Sequence, residues 1–197
     1  MKRLRLFLAC VVVLGSTLVV SAQTYVFDLD PQQTHVGFTL DGNLHTVHGS
    51  FQVKSGSVRI DTSTGTASGL VVVDATSGDS GSKGRDRKMN KDILESEKYP
   101  EITFAPHHIA GLLPQGGKTE VTIAGVMTLH GQPHEVSITV PVEVRAGQAV
   151  ADLAFIVPYV QWGMKNPSTF VLRVSDKVEI EVHAVGRMEP ATSGGHH

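Results

Sequence analysis

Val136-Ser137-Ile138-Thr139-Val140-Pro141-Val142-Glu143-Val144 puts an apolar residue at every second position and a polar residue or proline between. In a β-strand successive side chains point to opposite faces, so this stretch has one greasy face and one wet face. The same alternation recurs in His35 to Leu40, Val47 to Lys54, Val121 to Leu129 and Gln148 to Val157. Many half-greasy strands and almost no helix require a single antiparallel sheet that curls to hide one face. What fills the space inside the curl decides what the chain does.

Working outward, Tyr25 to Asp30 reads as a first strand stopped by Pro31, and Asp41-Gly42-Asn43 as a turn after the second. Ser55-Gly56 reads as a turn into Ser57 to Asp61, and Thr62 to Gly65 as a turn into Thr66 to Ala75. Such short Gly, Ser, Thr and Asp links predict a meander of hairpins. Thr76 to Gly84 reads as a Ser/Gly loop, and the 85–96 region as the one short helix, stopped by Tyr99-Pro100. Strands resume at Glu101 to Ile109, Gly131-Gln132-Pro133 turns, and Phe170 to Val174 and Lys177 to Arg187 close the array. The expected fold is all-β: an antiparallel barrel of about eight strands in one domain, residues 23–189, with a tail over 190–197.

Residues 1–22 have the layout of a secretory signal peptide. Lys2, Arg3 and Arg5 precede the apolar run Leu6 to Val20, and Val20-Ser21-Ala22 offers small residues for cleavage after Ala22. The run is short for a membrane span, so no stable anchor is expected. The only cysteine, Cys10, lies in that leader. A periplasmic or secreted domain held by its core rather than by disulfides is therefore expected. Without Lys2, Arg3 and Arg5 the chain keeps 14 basic residues against 19 acidic ones, with no Lys/Arg cluster along it. That balance argues against nucleic acid or an anionic membrane as a partner.

The stretch Gly84-Arg85-Asp86-Arg87, then Leu94, then Tyr99-Pro100-Glu101-Ile102-Thr103-Phe104 resembles the YceI-like family of exported polyisoprenoid-binding proteins. His45-Thr46-Val47-His48-Gly49-Ser50-Phe51, Gly125-Val126-Met127-Thr128-Leu129-His130-Gly131 and Val174-Ser175-Asp176-Lys177-Val178 are similar too, so the resemblance spans roughly residues 24–186. Many members carry Arg-x-Asp/Glu-Phe-Gly where this chain reads Val160-Gln161-Trp162-Gly163-Met164, so that arginine's contact is not carried over. The resemblance implies a lipocalin-like barrel enclosing a long isoprenoid, such as a polyprenyl phosphate or a quinone tail. It implies no enzymatic activity and no cofactor beyond the bound lipid, and it leaves a homodimer open.

Alternation makes Phe38, Leu40, Phe51, Val53, Phe104, Ile123, Met127, Ile138, Val140, Leu153 and Phe155 the inner face. Periodicity allows a packed core there as readily as a hollow; sparse aromatics, inward Gly49 and Gly125, and the resemblance select the hollow. Burying a tail of about 40 carbons at roughly 0.3 kcal/mol per atom supplies roughly 12 kcal/mol, or nanomolar affinity. Trp162 is a candidate lining residue at an opening. Arg85 and Asp86 are candidates for a polar rim, with a local capping role for Asp86 as the alternative. The histidines are the rival signal, for a metal or haem protein. His45 and His48 are three apart near a strand, though, and His107 and His108 adjacent, so each pair diverges; His130 and His134 across a turn give two ligands at most.

Overall fold

In a computed structural model the described residues are 23–111, 113 and 116–191. The expected leader, 1–22, lies outside them, as does the expected 190–197 tail except for Pro190, which ends β9, and Ala191, whose N–H donates to the Thr24 carbonyl at 2.7 Å. Nine strands appear among the described residues: β1 (Thr24–Leu29), β2 (His35–Leu40), β3 (Val47–Asp61), β4 (Thr66–Asp79), β5 (Glu101–Ala110), β6 (Gly117–Leu129), β7 (Gln132–Arg145), β8 (Gln148–Val157) and β9 (Val178–Pro190). A short helix, α1 (Lys83–Lys88), runs on into one wider turn, Met89–Ile93, closed by the Leu94 N–H donating to the Met89 carbonyl at 2.9 Å.

The strands form one antiparallel sheet that closes on itself. β3 to β9 follow one another as a meander, and β1 and β2 share the remaining place between β9 and β3. β1 pairs the far half of each neighbour and β2 the near half, so nine strands fill eight positions. The break falls at Pro31, and Thr34 splices it. The Thr34 hydroxyl donates to the Val185 carbonyl at 3.2 Å and accepts from the Val185 N–H at 3.1 Å, standing in for the missing ladder residue. Closure leaves few free edges, which an isolated sheet of this length would expose to pairing with other chains.

Several expectations need correction. Ser55-Gly56 is not a turn: β3 runs through it, with a register shift between Val53 and Ser55. The bulge moves the inward row from Val47, Phe51 and Val53 to Val58 and Ile60, a change of parity that reads as a break in sequence. β4 likewise runs on to Asp79, through the expected loop. The β6–β7 turn is His130-Gly131, both at positive φ (54° and 71°), the two-residue hairpin geometry, not Gly131-Gln132-Pro133. Phe170 to Val174 is no strand; a lone bridge joins Val174 to Gly42. β3, β6, β7 and β9 have 15, 13, 14 and 13 residues, longer than the alternation suggests. At about 3.3 Å per residue and a tilt of about 40°, such strands build a tube about 35 Å tall.

Thr34→Val keeps the shape and deletes both bonds of the splice, leaving the Val185 N–H without its partner while the Val185 carbonyl still accepts from the Asp30 N–H at 2.8 Å. It is expected to lower the free energy of unfolding by about 2–4 kcal/mol, read by denaturant titration. A loss below about 0.5 kcal/mol would show that the splice contributes little.

Candidate functional site

A cavity of about 480 Å³ runs along the barrel axis. It falls within the roughly 300–1,000 Å³ typical of small-ligand sites. Phe27, Leu113 and Met188 line one end and Lys88, Met89 and Pro167 the other, with aliphatic side chains of every strand position between. Phe38, Leu40, Phe51, Val53, Phe104, Ile123, Met127, Ile138, Val140, Leu153 and Phe155 all stand on its wall. The inward glycines do not enlarge it as expected. A Cβ on Gly49 would overlap the Phe38 ring, one on Gly125 the Phe104 ring, and one on Gly186 the Phe27 ring. Each ring occupies the space beside a neighbouring strand's glycine, so these glycines make room for rings rather than for a ligand. Phe38 also meets Phe51 with the ring planes tilted by 43° and the ring centres 5.4 Å apart.

The charged side chains of the lining gather at one end. His45, Ser80, Arg85 and Lys88 line the cavity where α1 crosses the barrel. Ser80 organises this corner. Its N–H and hydroxyl donate to Asp86 Oδ1 at 2.8 and 2.6 Å, and Arg85 donates from Nη2 to the Ser80 carbonyl at 2.8 Å and from Nε to the hydroxyl at 3.2 Å. Those bonds from Ser80 hold the Asp86 carboxyl below its ordinary range. Arg85 therefore faces the cavity as a cation with donors to spare. Asp86 does not: it is turned away to fix the loop, and it is absent from the wall.

Trp162 is also absent from the wall. Its ring stacks on His134 of β7, centres 3.9 Å apart and planes 4° from parallel. The stack spans a gap in the barrel. β7 and β8 are laddered only from Val142–Arg145 to Gln148–Ala151; beyond Pro141, which has no N–H to donate, they part. Side chains still meet there, since Ile138, Val140 and Leu153 share one cluster, and Trp162 reaches from the segment after β8 to β7 at the open end. His134 Nε2 is buried without a partner, and burial pushes the imidazole pKa down. Sequence reasoning passed over Tyr159, which is buried on the cavity wall together with Met164; both come from tight turns over 158–164 rather than from any alternating run. The Tyr159 hydroxyl donates to the Ser175 carbonyl at 2.7 Å, and burial, with Asp176 nearby, raises its pKa to about 12. Val178, Ile180 and Val182 of β9 were legible as alternation and belong to the wall too. Among the described residues no three His, Cys, Asp or Glu side chains converge as a metal site would need.

A family model described as a YceI-like domain matches residues 27–186. The fold is similar to that of a polyisoprenoid binding domain from Saccharophagus degradans (TM-score 0.66, 18% identity, covering 83% of this chain and 98% of that one). It is similar also to Burkholderia cenocepacia BcnA (0.65, 22%, 80% and 99%) and to a Campylobacter jejuni YCEI protein (0.50, 12%, 98% and 100%). At these identities the likeness is one of fold. No curated protein matches the sequence.

His134 resists a proton in the folded state but accepts one in the unfolded chain. Its contribution thus favours the native state above the unfolded value of about 6.5 and is lost as pH falls below it. His134→Phe keeps a ring against Trp162 and removes the titration. Between about pH 8 and about pH 5.5 the melting temperature of the variant is expected to fall less than that of the native protein, with Trp162, the chain's one tryptophan, reporting by fluorescence. Equal falls would dismiss the assignment.

Proposed function

The chain belongs to the YceI-like domain family, and from that premise we propose that its barrel binds a long isoprenoid lipid, without covalent chemistry. The observation that carries the reading is the shape and lining of the cavity. It touches residues from Met188 to Lys88, at opposite ends of the barrel, and nearly every side chain between them is a hydrocarbon. A compact ring system would meet one level of that wall; a flexible unbranched or methyl-branched chain meets all of it. Each Å² of apolar surface removed from water contributes about 25 cal/mol, so a chain gains with every carbon it places inside.

The polar corner supplies the other half of an amphiphile's needs. Arg85 and Lys88 face the cavity beside His45 and Ser80, a setting for a phosphate or an oxygenated ring at the head of the lipid. Ser80 and Asp86 fix Arg85, so less freedom is lost when it meets a ligand. The polyisoprenoid binding domain named above supports the same ligand class for this fold. With the apolar leader, the reading becomes that of an exported carrier, which shields the tail and presents the head.

Organic extraction of the purified protein followed by mass spectrometry is expected to release a prenyl lipid, whose mass gives chain length and head group. Phe104→Arg sets a charge in the middle of the wall and is expected to abolish that yield or to cost stability of the order of 3–5 kcal/mol. Full retention of both lipid and stability would count against the cavity as its site.

A further inference from the structure

Five large apolar side chains are well exposed among the described residues, and three of them stand on two loops joined at the helix end: Leu44 (64% exposed), Phe170 (96%) and Val171 (68%). The Asn43 side chain donates to the Val171 carbonyl at 3.2 Å and accepts from the Arg173 N–H at 2.9 Å. The Asn43 N–H donates to the Arg173 carbonyl at 2.9 Å, and Gly42 bridges Val174. Phe170 and Val171 are the two central residues of a tight turn. The Thr169 N–H donates to the Leu172 carbonyl at 2.7 Å, and the Leu172 N–H to the Thr169 hydroxyl at 3.0 Å. Turn centres favour Gly, Pro, Asn, Asp and Ser for reasons of backbone geometry. Nothing in the folding of this turn calls for a phenyl ring held in water.

The tips sit at the cavity mouth: Pro167 and Leu172, on either side of the turn, and His45, next to Leu44, all line the cavity. Cations surround them. Lys165, Arg173 and Lys177 lie on the turn segment, and Lys83, Arg87 and Lys91 on and beside α1, which Lys88 ties to the segment by donating to the Pro167 carbonyl at 3.3 Å. None of Lys83, Arg87, Lys91, Lys165, Arg173 or Lys177 makes an ion pair among the described residues. The chain carries a formal net charge of -2, so this basic rim is local. It is also assembled by the fold, because the two segments are some distance apart in sequence.

We propose that this rim docks on an anionic lipid bilayer, with Leu44, Phe170 and Val171 set into the boundary between headgroups and acyl chains. Apolar tips ringed by Lys and Arg are the composition that interfacial binding requires: burial of the tips gives grip, and attraction to anionic headgroups gives orientation. Docked in this way the protein turns its cavity mouth toward the bilayer, from which a lipid tail passes inward without crossing water. The purpose of the surface rests on the isoprenoid reading, but its test does not.

The test is co-sedimentation of the protein, purified after export, with phosphatidylcholine vesicles that contain or lack phosphatidylglycerol. The native protein is expected to sediment with the anionic vesicles in about 0.1 M salt and much less in about 1 M, where the screening length falls from about 10 Å to about 3 Å. The double variant Phe170→Ser with Val171→Ser should lose roughly tenfold or more of that partitioning with an unchanged melting temperature. Lys165→Glu with Arg173→Glu should abolish the preference for phosphatidylglycerol. A native protein that ignores both vesicles, or a serine variant that binds as well as native, overturns the proposal. So does sedimentation velocity showing a dimer that the serine variant dissolves, without vesicle binding, since the rim would then meet a second copy. The vesicles hold no isoprenoid, so failure here beside a prenyl lipid in the extract rejects the docking surface alone. An extract without prenyl lipid, beside intact docking, rejects the ligand alone.

Discussion

Closure of the backbone ladder is the constraint on which this molecule depends. Side chains in an ordinary core attract one another until they touch, and a void costs stability in proportion to its size. Here the walls do not collapse, because eight strand positions joined edge to edge fix a circumference that inward side chains must accept. The chain defends that ring where it is weakest. Thr34 carries the ladder past the break at Pro31, and bulges at Ser55 and near His107 bend the strands while their apolar rows stay inward. Between β7 and β8, where the ladder stops after four pairs, side-chain packing and the His134–Trp162 stack take its place.

Alternation made the strands and eleven wall residues legible, because an inward position in a barrel has to be apolar whatever else the protein does. It failed where alternation slips. A bulge adds one residue and reverses the parity of all that follow, so the passage from Val53 to Val58 looks like two strands with a turn between. Pro106 marks the same event in β5, since proline is tolerated in a sheet at such irregularities. Phe170 to Val174 shows the opposite failure: apolar residues in a row that build no strand, because two of them form the tip of a turn. Trp162 and Asp86 were drawn into the site as residue types able to serve it. The structure spends them on neighbours, the indole on His134 and the carboxylate on Ser80.

Basic side chains illustrate how charge read along a chain differs from charge in space. No run of lysine and arginine stands out beyond the helix, and the composition is mildly acidic. Folding brings the 83–91 and 165–177 segments to one end of the barrel, joined through Lys88 and Pro167. The interior of the tube is apolar, its mouth is cationic, and the most exposed apolar side chains stand beside that mouth. These features have one axis in common.

A wall held by backbone hydrogen bonds is a poor place to admit a long chain, since each strand parted from its neighbour loses a row of them. The helix end is built differently. α1 buries none of its residues, and the loops at 41–46 and 165–175 are held mainly by a few hydrogen bonds around Asn43, Asn166 and Ser168. Moving these loops breaks a handful of contacts; opening the ladder breaks many. The same reasoning applies to the gap beside Pro141: it lacks backbone bonds but is filled by Ile138, Val140 and Leu153, whose separation would expose the apolar lining itself to water. A lipid of the proposed kind would therefore pass most cheaply through the end that carries Arg85 and Lys88, and its polar head would come to rest among the charges last encountered on the way in.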